Sequence, residues 1–161
     1  MRTSYRPRVI TVVQRVLGAR VLVDGETVSA IERGLLAFVG VEDGDVPADA
    51  DATAKKIASL RVFPDRKPMD LDVRAIGGSC LVVSQFTLAA ELRRGNRPDF
   101  TAAADPELAK PLYERVAAAL TDHGVPVATG RFGASMQVEL VNDGPVTLVL
   151  TVRDGKVQPR S

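Results

Sequence analysis

The sequence predicts an α+β fold, with strands in the majority and two helices inserted between them, and not the regular alternation of a doubly wound parallel sheet. Three observations carry this. Short runs of alternating apolar and polar residues, rich in valine and isoleucine, recur along the chain. One continuous apolar run, Leu35-Leu36-Ala37-Phe38-Val39-Gly40-Val41, reads as a central strand buried on both faces. Two stretches show helical spacing of their apolar residues.

In chain order, alternation predicts strands over residues 9–16, 20–23 and 26–31, the last two forming a hairpin about Asp24-Gly25, a dipeptide suited to a tight turn. The apolar run 35–41 follows, ended by Glu42-Asp43-Gly44-Asp45. Between Pro47 and Leu60 the alanines, Ile57 and Leu60 lie on one side, while Asp49, Asp51, Lys55 and Lys56 are polar, so a helix with a thin apolar stripe is expected. The second helix is better marked. Asp105 is placed to cap it, Pro106 fits its first turn, Leu108, Leu112, Val116 and Leu120 repeat every four residues, and Gly124 stops it. Further strands are expected over residues 80–88, 136–141 and 146–152, with a shorter one near 125–128. The first seven residues and residues 153–161 read as loose ends of a single domain, 1–161.

With 161 residues, 45% of them hydrophobic and 25% charged, the chain has enough apolar content for one core and too little length for two. Its 21 lysines and arginines against 20 acids exclude the broad basic surface of a non-specific nucleic-acid binder. Any such contact must be local, and Arg93, Arg94 and Arg97 around Gly95 are suited to phosphate oxygens. A solvated surface loop is the plainer reading of the same residues. No apolar run is long enough to span a bilayer, and Met1-Arg2-Thr3-Ser4-Tyr5-Arg6-Pro7 lacks a secretory signal's apolar stretch, so a cytoplasmic protein with no membrane partner is expected.

Cys80, the single cysteine, cannot form an internal disulfide and reads as a buried, inert thiol. His123 is the single histidine. It lies at the expected C-terminal end of a helix, where a protonated imidazole suits the negative end of the dipole, so a serine-histidine-acid triad is not expected. Neither a metal nor a cofactor is expected: an ordinary zinc site needs more histidine and cysteine, and Gly77-Gly78 leads into no phosphate-binding helix. Two segments place uncommon polar residues in apolar surroundings, Ser84-Gln85-Phe86-Thr87-Leu88 and Asn142-Asp143-Gly144-Pro145-Val146-Thr147. Each is also compatible with a solvated strand face and an ordinary turn, respectively.

Together and in this order, the two segments resemble the D-aminoacyl-tRNA deacylase family, whose signatures are a Ser-Gln-x-x-Leu strand end and an Asn-x-Gly-Pro-x-Thr loop. The resemblance extends through Val13-Gln14-Arg15-Val16, Gly77-Gly78-Ser79, Arg94-Gly95-Asn96-Arg97-Pro98 and Thr129-Gly130-Arg131-Phe132-Gly133-Ala134, covering residues 9–152. A departure is Lys67-Pro68-Met69-Asp70, where a Gly-Lys-Met-Asn loop is more usual. The resemblance implies a strand-rich β/β/α three-layer domain that forms a homodimer. It also implies hydrolysis of the ester bond of D-aminoacyl-tRNA, and of glycyl-tRNA, with the acceptor end of aminoacyl-tRNA as partner and L-aminoacyl-tRNA rejected.

By the same resemblance Gln85, Phe86 and Thr87 are the catalytic candidates, and Ser84, Arg15, Asn142, Gly144, Pro145 and Thr147 are the substrate-binding ones. Gly144 and Pro145, joined by a cis bond, would enter the partner subunit's site, and Arg15 would hold their loop. Carbonyl oxygens there would take the α-amino group and leave no room for an L side chain, so selection would be exclusion. Backbone amides near Phe86 and Thr87 would face the ester carbonyl, Gln85 would orient the substrate or its ribose, and the terminal ribose hydroxyl would assist. Thr87 and Thr147 are disfavoured as nucleophiles because no residue is an evident base for them. Phe86 is a candidate to stack on the terminal adenine, the alternative being a core phenylalanine.

Overall fold

The computed structural model describes residues 6–160, and strand β1 (Val9–Val23) organises it. β1 pairs along one edge with β3 (Gly34–Gly40) and β2 (Glu26–Ile31), and along the other with β6 (Gln137–Arg153). The β1–β2 hairpin closes at Asp24 and Gly25, both with positive φ (50° and 80°), as a two-residue turn between twisted strands requires. Alternation breaks at Leu17-Gly18, which is why the pattern suggests two strands over 9–23. Pairing of Gly18 with Val141 and of Val16 with Asn142 carries one strand across the break.

β3 runs parallel to β4 (Ser79–Ser84), and β4 parallel to β5 (Val127–Thr129). Parallel neighbours need long crossovers, and these contain the two helices, α1 (Pro47–Ser59) between β3 and β4 and α2 (Pro106–Asp122) between β4 and β5. With β7 (Lys156–Val157) pairing β6, the order is β5-β4-β3-β1-β6-β7, a mixed sheet with two helices.

The apolar residues divide by sheet face. Val9, Val13, Leu35, Ala37, Val39 and Val82 pack with Ala54 and Ile57 of α1 and with Leu112, Val116 and Leu120 of α2. The thin alanine stripe of α1 is thereby sufficient, because α1 packs on α2 as well as on the sheet. Val16, Val21, Leu36, Leu81 and Val83 form a second cluster with Val28, Ile31, Met136, Val138 and Leu140, to which no helix contributes. β2 also packs on β4 and β5, which it does not pair, so the sheet curls to close this second cluster. Cys80 lies in the helix-side core, and burial pushes its thiol up to about 12, so it stays protonated at neutral pH.

Several expected boundaries move. The strand predicted over 80–88 ends at Ser84, because Gln85 turns (φ −140°, ψ 78°) into a short 3-10 turn, Phe86–Ala89. Asp105 is the N-cap of α2, but its side chain makes no capping hydrogen bond. The strands expected at 136–141 and 146–152 are parts of one strand, β6, and residues 142–145 are not a simple turn between them. The tail expected to be loose from residue 153 instead turns back through Asp154 and Gly155, both at positive φ, to form β7. Of the first seven residues, also expected to be loose, 1–5 lie outside the described residues, whereas Arg6 is ion-paired with Asp154.

Buried acids tie the start of α1 to this tail. Asp49 accepts the Val46 N–H at 2.9 Å and the Gly155 N–H at 2.7 Å. Asp45 accepts the Glu42 N–H at 2.7 Å through Oδ2, while its buried Oδ1 has no hydrogen-bond partner among the described residues. Burial, with the nearby Asp49 and Glu42 carboxylates, pushes the Asp45 carboxyl up to about 7. The folded protein thus keeps a proton that the unfolded chain gives up near pH 3.8, and stability falls as pH rises from about 4 to about 7. Asp45→Asn removes this dependence. In urea unfolding it is expected to exceed the parent by roughly 1 to 3 kcal/mol at pH 8 and to show little gain at pH 4; a difference independent of pH would contradict the assignment.

Candidate active site

Ser84, Gln85 and Phe86 come together where β4 ends. The Gln85 N–H donates to the Val39 carbonyl at 2.8 Å, the last tie to β3, and the chain then turns through the 3-10 turn. The first amides of such a turn, those of Phe86 and Thr87, have no acceptor within it. Gln85 Nε2 donates to the Thr87 hydroxyl, so these two side chains hold one another. Phe86 is 55% exposed and meets Phe100 edge-on, with ring centroids 5.2 Å apart. It is therefore not a core phenylalanine.

A cavity of about 480 Å³ opens beside them, lined by Val83, Ser84, Gln85, Phe86, Phe132, Ala134, Met136 and Val138. Its volume suits a nucleoside-sized group, and its wall is largely apolar with the Ser84 and Gln85 polar groups at one side. Thr87 does not line it. Phe132 and Met136 are not among the site residues that the sequence predicts. Phe132 lies in the Thr129–Ala134 stretch that carries part of the resemblance, and Met136 has no local signal. A second cavity is lined by four acids, Glu42, Asp43, Glu91 and Asp99, against the single base Arg8, an excess of negative charge unsuited to the end of a nucleic acid.

The loop of the second segment is a bulge built into β6. Gln14 pairs with Thr147 and Val16 with Asn142, so residues 143, 144, 145 and 146 all face Arg15 alone. The Gly144–Pro145 bond is cis, and Gly144 has φ +125°, a conformation that L side chains rarely adopt. Gly144 and Pro145 are exposed at the tip, whereas Val146 is buried.

Three side chains hold the loop. Asn142 Nδ2 donates to the Thr147 hydroxyl at 2.8 Å, and Asn142 Oδ1 accepts the Val146 N–H at 3.2 Å, which closes the excursion at its base. Gln14 Nε2 donates to the same Thr147 hydroxyl at 3.1 Å. Arg15, only 9% exposed, donates through Nη1 to the Val62 carbonyl at 2.7 Å and through Nε to the Asp143 carbonyl at 3.1 Å. The Asp143 carboxylate lies 3.2 Å from the same Nε. A Cβ on Gly144 would come 2.9 Å from Arg15 Nη2, so the loop is seated directly on the guanidinium.

Within one chain the two groups stay apart. Arg15 lies opposite Leu35, and Gln85 hangs from Val39, four residues further along β3. At a rise of about 3.3 Å per residue, that separates them by roughly 13 Å of strand. No residue of the 142–147 loop lines the cavity at Gln85.

The sequence matches the D-Tyr-tRNA(Tyr) deacylase family over residues 12–151, a span that contains both segments. The D-aminoacyl-tRNA deacylase of Alcanivorax borkumensis is 56% identical over 138 residues, which are 85% of this chain and 95% of that protein. That of Thermotoga petrophila is 53% identical over 140 residues, 86% of this chain and 94% of the relative. Among solved structures, a c-Myc DNA Unwinding Element Binding Protein is 39% identical and superposes with a TM-score of 0.82, covering 88% of this chain and 97% of its own. A probable eukaryotic D-amino acid tRNA deacylase shares the fold, with a TM-score of 0.78 at 15% identity over 90% of this chain and 100% of that one. The chain is thus an enzyme, a hydrolase acting on ester bonds. It belongs to the D-aminoacyl-tRNA deacylase family.

Arg15→Lys tests the seating of the loop. A lysine ammonium cannot serve the Val62 and Asp143 carbonyls from one fork. Hydrogen exchange of the Val146 amide is expected to quicken about tenfold or more, with global stability lower by roughly 1 to 3 kcal/mol. Unchanged exchange at Val146 would contradict the clamp.

Proposed function

We propose that this chain hydrolyses the ester joining a D-amino acid, or glycine, to the terminal ribose of tRNA, and that each site is built by two copies. One copy supplies Ser84, Gln85, Phe86 and Thr87; the other supplies the loop from Asn142 to Thr147. The observation that carries this is the seating of Asp143 and Gly144 on Arg15, with Gly144 and Pro145 exposed at the tip and away from the cavity at Gln85 within the described residues of their own chain. Leu17, Val141, Leu148 and Val149 are exposed on the two strands beside that loop, an apolar surface suited to a second copy.

In this reading the Gly144 and Pro145 carbonyls take the substrate's α-ammonium, and the loop backbone occupies the space an L side chain needs. A D side chain points away from it. Glycine has nothing to exclude and is also cleaved. The ester carbonyl lies against the Phe86 and Thr87 amides, which stabilise the oxyanion as it forms. Gln85, braced by Thr87, orients the ribose, and the ribose hydroxyl helps to place the attacking water. Ser84 stands at the wall of the cavity that takes the adenosine, with Phe86 stacking on the base. Asn142 and Thr147 act on substrate through the loop they hold closed. Such chemistry belongs where charged tRNA is used, in the cytoplasm.

The reading is tested with D-tyrosyl-tRNA and L-tyrosyl-tRNA offered to the purified protein. Loss of the D ester alone is expected. Loss of neither would make the chain a binding module, and loss of both would remove the loop as a filter. Gly144→Ala forces a Cβ into the positive-φ position against Arg15 and is expected to reduce the D-over-L preference by about tenfold or more. An unaltered preference would contradict the loop's role.

A further inference from the structure

Past the 3-10 turn the chain forms a small hairpin whose base is closed by Glu91 and Asp99. The Glu91 N–H donates to the Asp99 carbonyl at 2.7 Å, and the Asp99 N–H returns to the Glu91 carbonyl at 3.0 Å. Between them lie Arg93, Arg94 and Arg97, with Gly95 at φ +64° making the turn, and every residue from 91 to 100 is exposed. Phe100 follows the base directly, and its ring packs on Phe86. The hairpin is therefore mounted on the catalytic segment itself.

The acids at the base are already engaged. Glu91 accepts the Arg93 N–H at 2.8 Å and lies 3.6 Å from Arg93 Nε. Asp99 accepts both the N–H and the hydroxyl of Thr101, at 2.8 Å and 2.5 Å, which with the nearby Arg94 charge holds its carboxyl below the usual range. The tip is left with arginine charge in a chain that is otherwise close to neutral.

We propose that this hairpin is a phosphate clamp, in which Arg94 and Arg97 hold backbone phosphates of the last nucleotides of the tRNA acceptor strand while the terminal nucleoside lies at Phe86. The inference rests on the deacylase reading for its ligand, but not on the chemistry of the site. Phosphate contacts position without reading sequence, so the clamp serves any tRNA and fixes where its end falls.

The test compares the parent with the Arg94→Gln, Arg97→Gln double variant in two assays. The first is binding of uncharged tRNA across a range of salt. The variant is expected to bind about tenfold more weakly at 0.1 M salt, with the slope of log affinity against log salt smaller by between one and two. The second is hydrolysis of D-tyrosyl-adenosine, which has no phosphate, and its rate is expected to be unchanged. Arg94→Lys with Arg97→Lys should restore most of the slope. Equal slopes for parent and variant would overturn the clamp, as would an equal loss on D-tyrosyl-adenosine, which would make the hairpin a support for the site. A parent that spares both D-tyrosyl-tRNA and D-tyrosyl-adenosine would refute the deacylase reading alone, and the tRNA slopes would still decide the clamp.

Discussion

One buried guanidinium, that of Arg15, joins three segments distant in sequence: β1, the stretch after α1 at Val62, and the excursion of β6 at Asp143. A charge so placed is tolerable only because it is paired and its donors are used, and removing any partner leaves it costly. That constraint has a direct geometric result. β6 must leave the ladder for residues 143–146 and rejoin it at Thr147, so the chain carries a bulge whose backbone is fixed from below and open above. Asn142 and Thr147 close its neck, and Gly144 is the residue that fits against the guanidinium at positive φ.

The long β1–β6 pairing sets the rest of the layout. Because β1 runs unbroken for fifteen residues, it serves the helix-side core through Val9 and Val13 and the strand-only core through Val16 and Val21. The same strand places Arg15 near the start of β3 and the Gln85 segment beyond its end. Two groups held on one strand system cannot swing together, which is why the proposed site draws its two halves from different molecules. In the proposed reading a second copy, meeting the first across the apolar residues of β6, would supply both halves by symmetry.

Much of this was legible in the residues, for identifiable reasons. The run 35–41 reads as a doubly buried strand because every position is apolar, and β3 is buried at almost every position. α2 is legible from Leu112, Val116 and Leu120, which all reach the core. What was not legible depends on partners far away in the chain. Residues 142–145 have the composition of a turn, and only the pairing of Asn142 and Thr147 with β1 shows that residues 143–146 are a bulge. Likewise Gln85-Phe86-Thr87-Leu88 has strand-like residues, but the ladder ends when Gln85 gives its N–H to Val39. Arg15 looks like any strand arginine until Val62 and Asp143 are placed beside it. Phe132 and Met136 reach the cavity through the curl of the sheet, which no local pattern encodes.

The claim at the centre of this account is that a working site needs the Gln85 segment of one copy and the Gly144 loop of another. Mixing two inactive variants, Gln85→Ala and Gly144→Glu, and letting them reassort measures this most directly, with loss of D-tyrosyl-tRNA as the signal. Half of the randomly mixed dimers would be mixed pairs, each with one intact site of two, so about a quarter of the parent rate should return. If the mixture stays as inactive as its components, each site lies within one chain and the two-copy account is wrong.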